Sequence, residues 1–563
     1  MSSSTVLSRK SNDPSVEILD SPRRNEQILR NFEIFLPKFH FILRNFYFGP
    51  PWGNSVCSLE IPDFLGRDCI SGWNIRTVVS PVGVGSLPPF LIPLHRVCNR
   101  GCRTRGQRSL EGKIIKTDSI NFTQGPIRKQ LLRLAAPIVA TSFVQMAYNF
   151  TDMAWLGRLG SREVAAVGVI GVLLWIATSI AQLTKTSAEV CVSQSLGARN
   201  KPLAIKFARH CTTWALIVGT LLALVYLLFG SPIVGIYNLE SDVHQMALSY
   251  LRIVLVGLPG YFLTLAMSGI YNAHGRSMTP FKINSLGLLF NMVLDPLLIF
   301  VCHLGVVGAA LATLLSQLAV CAILYYRMQH RDKILDGSSI VTKLAGEQSR
   351  RIFAIGVPVV LLNSLFALIS IFMGRLASEQ GGAIGVAVMT TGGQLEGVTW
   401  NACQGFCTAL ATFVGHNYAA RQFDRVWRGY RTTILMTLSI GLFGTLLFLF
   451  LGEAFFALIV PDPETYIEGG RYLYIASFSQ LFIMAEITTQ GLFYGVGRSN
   501  TPAVISIVGN LLRIPLALLL IYLGWGLPAV WWAISLSSIG KGITAIIVLL
   551  TKRDKLTPTN LAA

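Results

Sequence analysis

The stretch Tyr148-Asn-Phe-Thr-Asp152-Met-Ala-Trp155 decides how the rest of the chain is interpreted, because it places a carboxylate inside an apolar segment. The apolar run begins near Leu131 and is long enough to cross a bilayer. A charge within a bilayer-spanning helix costs roughly 2.5–3.5 kcal/mol on insertion scales, so it usually has a partner or a function. We therefore treat Asp152 as a candidate functional residue of a membrane protein.

The composition of the whole chain agrees with a membrane location. Of its 563 residues, 52% are hydrophobic and only 13% are charged, which excludes an ordinary soluble protein. The net charge of +19 does not indicate nucleic-acid binding, because the positive residues lie in short loops and in the N-terminal region. The sequence contains no Walker motif, nucleophile elbow or metal-binding helix pair, so we expect neither an enzyme nor a bound cofactor.

Apolar runs of about 20 residues recur from residue 128 onward, and each is long enough to span a membrane. The twelve predicted spans are 131–157, 164–190, 207–229, 245–270, 281–302, 305–327, 352–375, 383–411, 433–452, 468–493, 503–523 and 527–550. Lysine and arginine are concentrated in the loops after even-numbered spans, as at Arg199, Lys201 and Arg421. Such loops remain in the cytoplasm, so we predict that both termini are cytoplasmic.

The two sets of six spans are repeats at an offset of 222 residues. The segment Gly275-Arg-Ser-Met-Thr-Pro280 corresponds to Gly497-Arg-Ser-Asn-Thr-Pro502, and Pro137 corresponds to Pro358 at an offset of 221. Since each repeat has an even number of spans, the copies have the same orientation and are related by an axis along the membrane normal. The predicted fold is therefore an all-α integral membrane protein whose twelve transmembrane helices form two six-helix lobes related by a pseudo-two-fold.

The predicted organisation places an N-lobe at 125–328, a cytoplasmic linker at 329–350, a C-lobe at 351–553 and a cytoplasmic tail at 554–563. Residues 1–119 are rich in Arg, Pro, Ser and Gly and show no sustained period. We expect them to form a poorly structured extension, or to come from a wrongly assigned start.

Four stretches of the membrane part resemble the multidrug and toxic compound extrusion (MATE) transporters, in particular their DinF-like prokaryotic branch. These stretches are Leu134-Ala-Ala-Pro-Ile-Val-Ala-Thr141 through Asp152 to Gly157-Arg-Leu-Gly160, Ser195-Leu-Gly-Ala-Arg-Asn200, Asn291-Met-Val-Leu-Asp295-Pro296 and Gly415-His-Asn-Tyr-Ala-Ala420. The resemblance covers residues 125–553 and none of the extension. The last stretch departs from the family pattern, which usually has Gly-Gln-Asn-Tyr-Gly, because His416 stands in place of the glutamine.

The resemblance implies export of cationic or amphipathic drugs and toxic metabolites, coupled to H⁺ or Na⁺, by lobes that alternate between inward- and outward-open states. It implies a plasma (inner) membrane protein whose partners are small amphipathic molecules and the lipid bilayer, and we expect a monomer. A flippase for lipid-linked saccharides, an activity of related transporters, is the alternative. The family's coupling-ion cluster maps onto four positions here: Asp152, Asn291, Asp295 and Thr313. Gln145 and Tyr148 lie one or two turns from Asp152 as supporting residues.

The predicted spans are compatible with such a cluster in the outer half of the N-lobe. Asp152, Asp295 and Thr313 lie within roughly 8–12 Å of the outer ends of their spans, at 1.5 Å per residue. Asn291 shares a helix face with Asp295, and Gln145, Tyr148 and Asp152 are spaced three and four apart. The repeat positions of the two acids in the second half are Met373 and Ala517, so the carboxylates break the internal symmetry.

The chemistry of the cluster leaves the ion open. Two carboxylates in a low-dielectric pocket repel each other and can share a proton, while the Asp, Asn and Thr oxygens are also suitable ligands for Na⁺. We hypothesise that ion loading bends the first span at Pro137, which lacks a backbone N–H. Four further charges lie in the C-lobe spans, either as a structural ion-paired network or, for Glu396, as a contact to cationic substrates. They are Glu396, Glu486, Arg513 and Lys541.

Overall fold

The computed structural model describes residues 122–237 and 239–556, and all the regular elements within these ranges are helical. The first half contains α1 Ile127–Leu156, α2 Ser161–Gly197, α3 Lys201–Gly235, α4 Ser241–Ala273, α5 Met278–Pro296 and α6 Gly305–Tyr326. The second half contains α7 Gly346–Ala419, α8 Phe423–Ile459, α9 Pro463–Val496, α10 Asn500–Leu511, α11 Arg513–Tyr522, α12 Pro528–Thr551 and the short α13 Arg553–Leu556. The predicted extension 1–119 and the end of the predicted tail, 557–563, lie outside the described residues.

The helix α7 contains two membrane spans. It has 74 residues, which at 1.5 Å per residue is more than three times the roughly 30 Å of a bilayer core. At Gly382 the backbone leaves the helical region, with φ 55° and ψ −138°, and the chain reverses there. The positive φ is a conformation that glycine adopts readily because it has no Cβ.

The described helices confirm the predicted all-α fold of twelve spans. Ten of them are long and apolar enough to cross a membrane, and α7 among these supplies two spans. The remaining span is Pro463–Val496, which is long enough but carries several charged residues. The interrupted pair α10 and α11 forms one span together.

The α-helix of the fifth span is interrupted in each lobe, near its outer end in the N-lobe and near its middle in the C-lobe. After Pro296, α5 continues as a π-helical turn, Leu297–Val301. In the second lobe, Leu512 separates α10 from α11. Irregular turns in membrane helices are tolerated where neighbouring helices cover them, and π-helical turns are frequent at functional sites.

The apolar cores show where the two lobes meet. We call the end of the bundle that holds residues 198–200 and 420–422 the inner end, and the end that holds residues 157–160 and Gly382 the outer end. A large buried cluster near the inner end combines residues of both lobes, among them Met267, Cys191, Cys407 and Met484. Towards the outer end each lobe has its own core, one around Leu156 and Tyr250 and another around Met373 and Trp531. The lobes are thus joined at the inner end and separate towards the outer end.

Close helix contacts bring the lobes together at the inner end. A Cβ added at Gly197 would lie 2.2 Å from the backbone oxygen of His416, and one at Gly356 would lie 2.6 Å from that of Leu183. Small residues allow helix backbones to approach in this way. Larger side chains at these two glycines are therefore incompatible with the observed inner contact.

Candidate functional site

The outer half of the N-lobe contains a buried group of polar side chains from helices α1, α5 and α6, with Tyr250 of α4 beside them. Helix α1 contributes Tyr148 and Asp152, which are one turn apart and therefore on one face. Helix α5 contributes Asn291 and Asp295, again four residues apart, and α6 contributes Thr313. The four predicted coupling-ion positions thus come together in the structure, in a group that their estimated depths permitted.

The two carboxylates are buried in an otherwise apolar lobe. Asp152 is 8% exposed, and Asn291 and Asp295 are both 0% exposed. The amide of Asn291 donates a hydrogen bond to Oδ1 of Asp295 at 3.1 Å. The carboxylates of Asp152 and Asp295 are close enough to interact electrostatically, and like charges in such surroundings repel strongly.

Several oxygen atoms of this group are buried and have no hydrogen-bond partner among the described residues. They are Asp152 Oδ1, Asn291 Oδ1, Asp295 Oδ2, Thr313 Oγ1 and the Tyr148 hydroxyl. Buried polar atoms are nearly always paired, so a cluster of unpaired ones requires an explanation. Carboxylate, amide and hydroxyl oxygens fit both a proton held between acids and a hard cation such as Na⁺.

Tyr250 belongs to the same group, although the analysis of the sequence did not assign it. It lies on α4, is buried, and is positioned beside Thr313 and near both Asp152 and Asp295. Its only sequence signal was that Tyr250 matches Tyr472 in the second repeat. A single tyrosine in an apolar span carries no charge to mark it, which is why the sequence did not single it out.

Gln145 lies outside the buried group, in contrast to the expectation that it shares a face with Tyr148 and Asp152. Its side chain is exposed and donates to Asn149 Oδ1 at 3.4 Å. Gln145 does lie on the same face of α1 as Tyr148 and Asp152. At Gln145, two turns inward from Asp152, the neighbouring helices no longer cover that face. Pro137 is a buried residue of α1 closer to the inner end, and its carbonyl accepts a 2.8 Å hydrogen bond from Thr141.

The C-lobe charges form a different arrangement. Glu486 and Lys541 form a buried ion pair with an N–O distance of 3.3 Å, and Lys541 also donates to Asn510 at 3.0 Å. Ser506 donates to Glu486 at 2.5 Å. This pair is internally satisfied, which agrees with a structural role.

Glu396 and Arg513 lie together in the C-lobe. The guanidinium of Arg513 donates to Ser537 at 2.9 Å and to Ser538 at 3.1 Å. Glu396 is half-buried and interacts with Tyr472 and with Arg513. On the same arm of α7, the Asn401 amide lies 3.6 Å from the Met146 sulfur of α1, so this arm borders the space between the lobes.

The repeat relates the two polar groups position by position. Arg513 stands at the position of Asn291, Ala517 at that of Asp295, and Tyr472 at that of Tyr250. The C-lobe therefore has a fixed cation where the N-lobe has unpaired oxygens. Across residues 122–237 and 239–556, no group of three or more His, Cys, Asp or Glu side chains could hold a transition metal.

Comparisons with known proteins match the chain over its membrane part. The profile of the MatE family matches residues 137–297 and 354–519. The chain is 25% identical over 416 residues to a probable multidrug resistance protein NorM of Thermotoga maritima, covering 72% of this chain and 88% of that protein. It is 22% identical over 446 residues to the multidrug export protein MepA of Staphylococcus aureus, covering 77% of this chain and 96% of that protein.

A solved structure has the same fold. The crystal structure of a MATE in the straight conformation superposes with a TM-score of 0.73 at 22% sequence identity. The superposition covers 78% of this chain and 98% of the other. The observed arrangement of twelve spans in two lobes is thus that of a known transporter fold.

Proposed function

This chain belongs to the MatE family of membrane transporters, and from that premise we propose that it exports cationic or amphipathic drugs and toxic metabolites in exchange for H⁺ or Na⁺. The observation that carries the proposal is the pair of buried acids, Asp152 and Asp295, with unpaired oxygens around them. A purely structural buried acid is normally satisfied by its neighbours, as Glu486 is in the other lobe. The names of the two relatives, a multidrug resistance protein and a multidrug export protein, support drugs as the substrate class.

The N-lobe group is the proposed coupling-ion site. Asp152, Asn291, Asp295 and Thr313 would hold the ion, with Tyr148 and Tyr250 beside them. One bound proton or sodium ion reduces the repulsion between the two carboxylates and offsets the unfavourable burial of their charges. Because the residue types suit either ion, we leave the coupling ion as H⁺ or Na⁺. We also propose that the chain belongs to the DinF-like branch, which these four positions resemble.

Alternating access is the proposed mechanism. The lobes share one apolar core at the inner end and have separate cores towards the outer end, which supports an outward-facing state. Ion loading at Asp152 changes the packing of α1, and the missing N–H of Pro137 gives that helix a point at which to bend. The bend would change the wall of the space between the lobes and release the substrate.

Glu396 is the proposed contact for cationic substrates. It is half-buried on the arm of α7 that borders the other lobe, and exposed Trp400 lies one turn further inward. A carboxylate beside an aromatic face is a common environment for organic cations. A flippase for lipid-linked saccharides would call for a strongly cationic space between the lobes, so we do not propose that activity. We likewise propose no enzymatic reaction.

We further propose a location in the plasma membrane, as a monomer with both termini cytoplasmic, so that the inner end faces the cytoplasm. The basic loops at that end, which include Arg199, Lys201 and Arg421, support this orientation. The lobe boundaries are proposed at 125–328 and 351–553, with the linker 329–350 and the tail 554–563 on the cytoplasmic side. Residues 1–119 remain a proposed extension or a misassigned start.

Transport of a cationic dye into inside-out membrane vesicles tests the function and the ion together. A proton gradient with an acidic lumen and a sodium gradient with a sodium-rich lumen are imposed separately. We expect one of the two gradients to drive dye accumulation by the wild-type protein. Accumulation under neither gradient, with the protein present in the membrane, would contradict coupled export.

The matched variants in this assay are Asp152→Asn and Glu379→Gln. Both remove one negative charge, but Glu379 is exposed and paired with Arg375 at 2.8 Å on the first arm of α7. We expect D152N to abolish gradient-driven accumulation and E379Q to retain it. Full transport by D152N would exclude Asp152 from the coupling mechanism.

A further inference from the structure

Two hydrogen bonds cross the lobe interface at the inner end, and the internal repeat relates them to each other. The side-chain amide of Gln194 on α2 donates to the backbone oxygen of Gly495 on α9 at 2.8 Å. Nε2 of His416 on α7 lies 2.8 Å from the backbone oxygen of Ala273 on α4. Gln194 and His416 are 222 residues apart, and so are Ala273 and Gly495, which is the repeat offset. The same contact is therefore made twice, once from the N-lobe to the C-lobe and once from the C-lobe to the N-lobe.

These two bonds lie where the lobes must separate for the inner end to open. They border the apolar cluster that both lobes share. Gln194 also accepts a hydrogen bond from the guanidinium of Arg351, and Ser187 donates to the backbone oxygen of Ile352 at 2.7 Å. We call the Gln194–Gly495 and His416–Ala273 pair the inner latch. Opening of the inner end breaks both members of it.

The two members differ in one chemical property. Gln194 has an amide that never titrates, whereas His416 has an imidazole whose pKa is lowered by burial in the closed interface from 6.5 to about 4. An imidazole in water gains its proton near pH 6.5, so the open interface binds this proton more readily than the closed one. A carbonyl oxygen only accepts, so Nε2 of His416 is the protonated nitrogen in the latch. Acidification therefore adds a proton at Nδ1 and gives the ring a positive charge. That ring lies against Phe122, with centroids 4.9 Å apart.

The charged and titratable groups around His416 are positive or neutral. His274, at the end of α4, is the titratable group that acts on His416. Arg276 and Lys201 lie beside His274, and burial together with these cations lowers the pKa of His274 to about 4. From α8, Arg425 donates to Asn417, the residue after His416.

Two acids of the loop after α6 are paired with cations. Asp332 bonds to Arg276 at 3.2 Å, and Asp336 bonds to Lys201 at 2.7 Å. A charged His416 thus has no described acid to balance it in the closed interface. In the open interface, water solvates the same charge.

We propose that His416 makes the inner latch sensitive to pH, so that protonation from the cytoplasmic side favours separation of the lobes at the inner end. The device rests on the proposed alternation between states, and it would raise the inward-open population of an exporter when the cytoplasm becomes acidic. Its linkage follows from proton binding: the open interface binds more protons than the closed one, so acid favours the open one.

Reactivity of the buried thiols at the interface measures the opening without measuring transport. Cys191 and Cys407 are buried in the cluster that both lobes share, and exposed Cys302 near the outer end serves as an internal reference. Membranes are treated with a small permeant maleimide at about pH 5.5 and about pH 7.5, values on either side of the usual imidazole pKa. Labelling of each cysteine is followed by peptide-resolved mass spectrometry.

The key variants are His416→Gln, which makes the two members of the latch alike, and the reciprocal Gln194→His. Comparison at a fixed pH cancels the intrinsic pH dependence of the thiols. At about pH 5.5 we expect Cys407 to react faster in the wild type than in H416Q. The open and closed states of the wild type differ by one bound proton, so each pH unit below the imidazole pKa can increase the open population by up to about tenfold. At about pH 7.5 the two proteins should react alike, and Q194H should be more acid-sensitive than the wild type.

Equal labelling of wild type and H416Q at both pH values would overturn the proposal. Loss of the acid response in His274→Gln, with the response retained in H416Q, would assign the effect to His274 and overturn it as well. Because no step measures export, failure here leaves the vesicle assay of the proposed function to be judged separately.

Discussion

The amide of Asn291 holds Oδ1 of Asp295 at 3.1 Å, one helical turn away, while Oδ2 of the same carboxylate is buried without a hydrogen-bond partner among the described residues. One side of the acid is therefore positioned by the protein, and the other side is available to an ion. Asn291 itself presents a second unpaired oxygen, Oδ1. The amide thus both orients the carboxylate and can contribute a ligand.

Replacing Asn291 with Leu should weaken ion coupling. A buried hydrogen bond to a charged group contributes about 1.5–3 kcal/mol, so we expect the half-saturating ion concentration for dye transport to rise by roughly 10- to 100-fold. The control is Asn284→Ala on the same helix, whose amide donates to the Pro280 carbonyl at 2.7 Å and lies outside the ion group. An unchanged ion dependence in N291L would exclude Asn291 from the site.

Replacing Tyr250 with Phe should also affect coupling, by removing a single buried hydroxyl beside Thr313. One neutral hydrogen bond made by this hydroxyl in the ion-loaded site would contribute about 0.5–1.5 kcal/mol, so we expect a shift of roughly 3- to 10-fold in the half-saturating ion concentration. Tyr472→Phe, the same change at the repeat position in the C-lobe, is the matched control. If both variants shift the ion dependence equally, Tyr250 has no specific role in the N-lobe site.

Replacing Pro137 with Ala should stabilise α1 and slow transport. Proline inside a helix is about 3 kcal/mol less favourable than alanine, and P137A restores a backbone N–H. We expect a higher thermal unfolding midpoint together with a lower turnover, because the stiffer helix bends less readily. The comparison is with Pro358→Ala, the repeat position in α7, which should raise stability without slowing turnover. Normal turnover of P137A would contradict the proposed bend.

Replacing Lys541 with Met should destabilise the C-lobe. It leaves the Glu486 carboxylate buried without its cation, and breaking a buried pair costs about 3–5 kcal/mol. The double variant E486L/K541M, which removes both charges, should recover most of the loss in thermal unfolding. Arg375→Ala, at an exposed pair, should change stability by at most about 1 kcal/mol. A K541M protein as stable as R375A would show that the pair has little structural importance.

Stability should depend on pH through His274, a half-buried residue in the inner loop between α4 and α5. Burial lowers the pKa of this imidazole from 6.5 to about 4 in the folded state. Between these pH values the unfolded chain binds more protons than the folded one, so the free energy of unfolding rises with pH. His274 therefore contributes its full stabilisation above about pH 6.5, and this is lost as the pH falls towards 4.

The variant His274→Asn should flatten this part of the pH profile of thermal unfolding. The control His303→Asn, at an exposed residue in the outer loop after α5, should retain the wild-type slope. A wild-type slope in H274N would mean that other groups cause the acid lability.

The fold could be predicted closely from the sequence because hydropathy marks the spans, although it marks Pro463–Val496 less strongly than the others. The boundaries could not, since the helices continue past the apolar runs into polar residues. The third span was predicted at 207–229, for example, and the helix is Lys201–Gly235. Hydropathy detects only the part of a helix that lies in lipid, whereas backbone hydrogen bonding continues to the cap at Asn200.

The candidate site was partly predictable for a similar reason. A carboxylate such as Asp152 stands out in an apolar span, but Tyr250 does not, because its side chain is compatible with an ordinary core position. The exposure of Gln145 depends on how far the neighbouring helices diverge from α1. The spacing of residues along a single helix gives no information about that divergence. The π-helical turn after Pro296 likewise arises from packing of the fifth and sixth helices, where Gly308 contacts the Leu298 backbone.

In the proposed exchange, the fixed guanidinium of Arg513, at the repeat position of Asn291, would limit the number of ions carried per cycle. With Arg513 and Lys541 balancing Glu396 and Glu486, the acids described in the interior of the C-lobe leave no spare negative charge for a second ion. The number of ions exchanged per cycle is then bounded by the two N-lobe carboxylates. One ion exchanged for one monovalent drug cation moves no net charge, and the membrane potential cannot drive it. Two ions move one net charge inward, so that a potential of 100 mV contributes about 2.3 kcal/mol to each cycle.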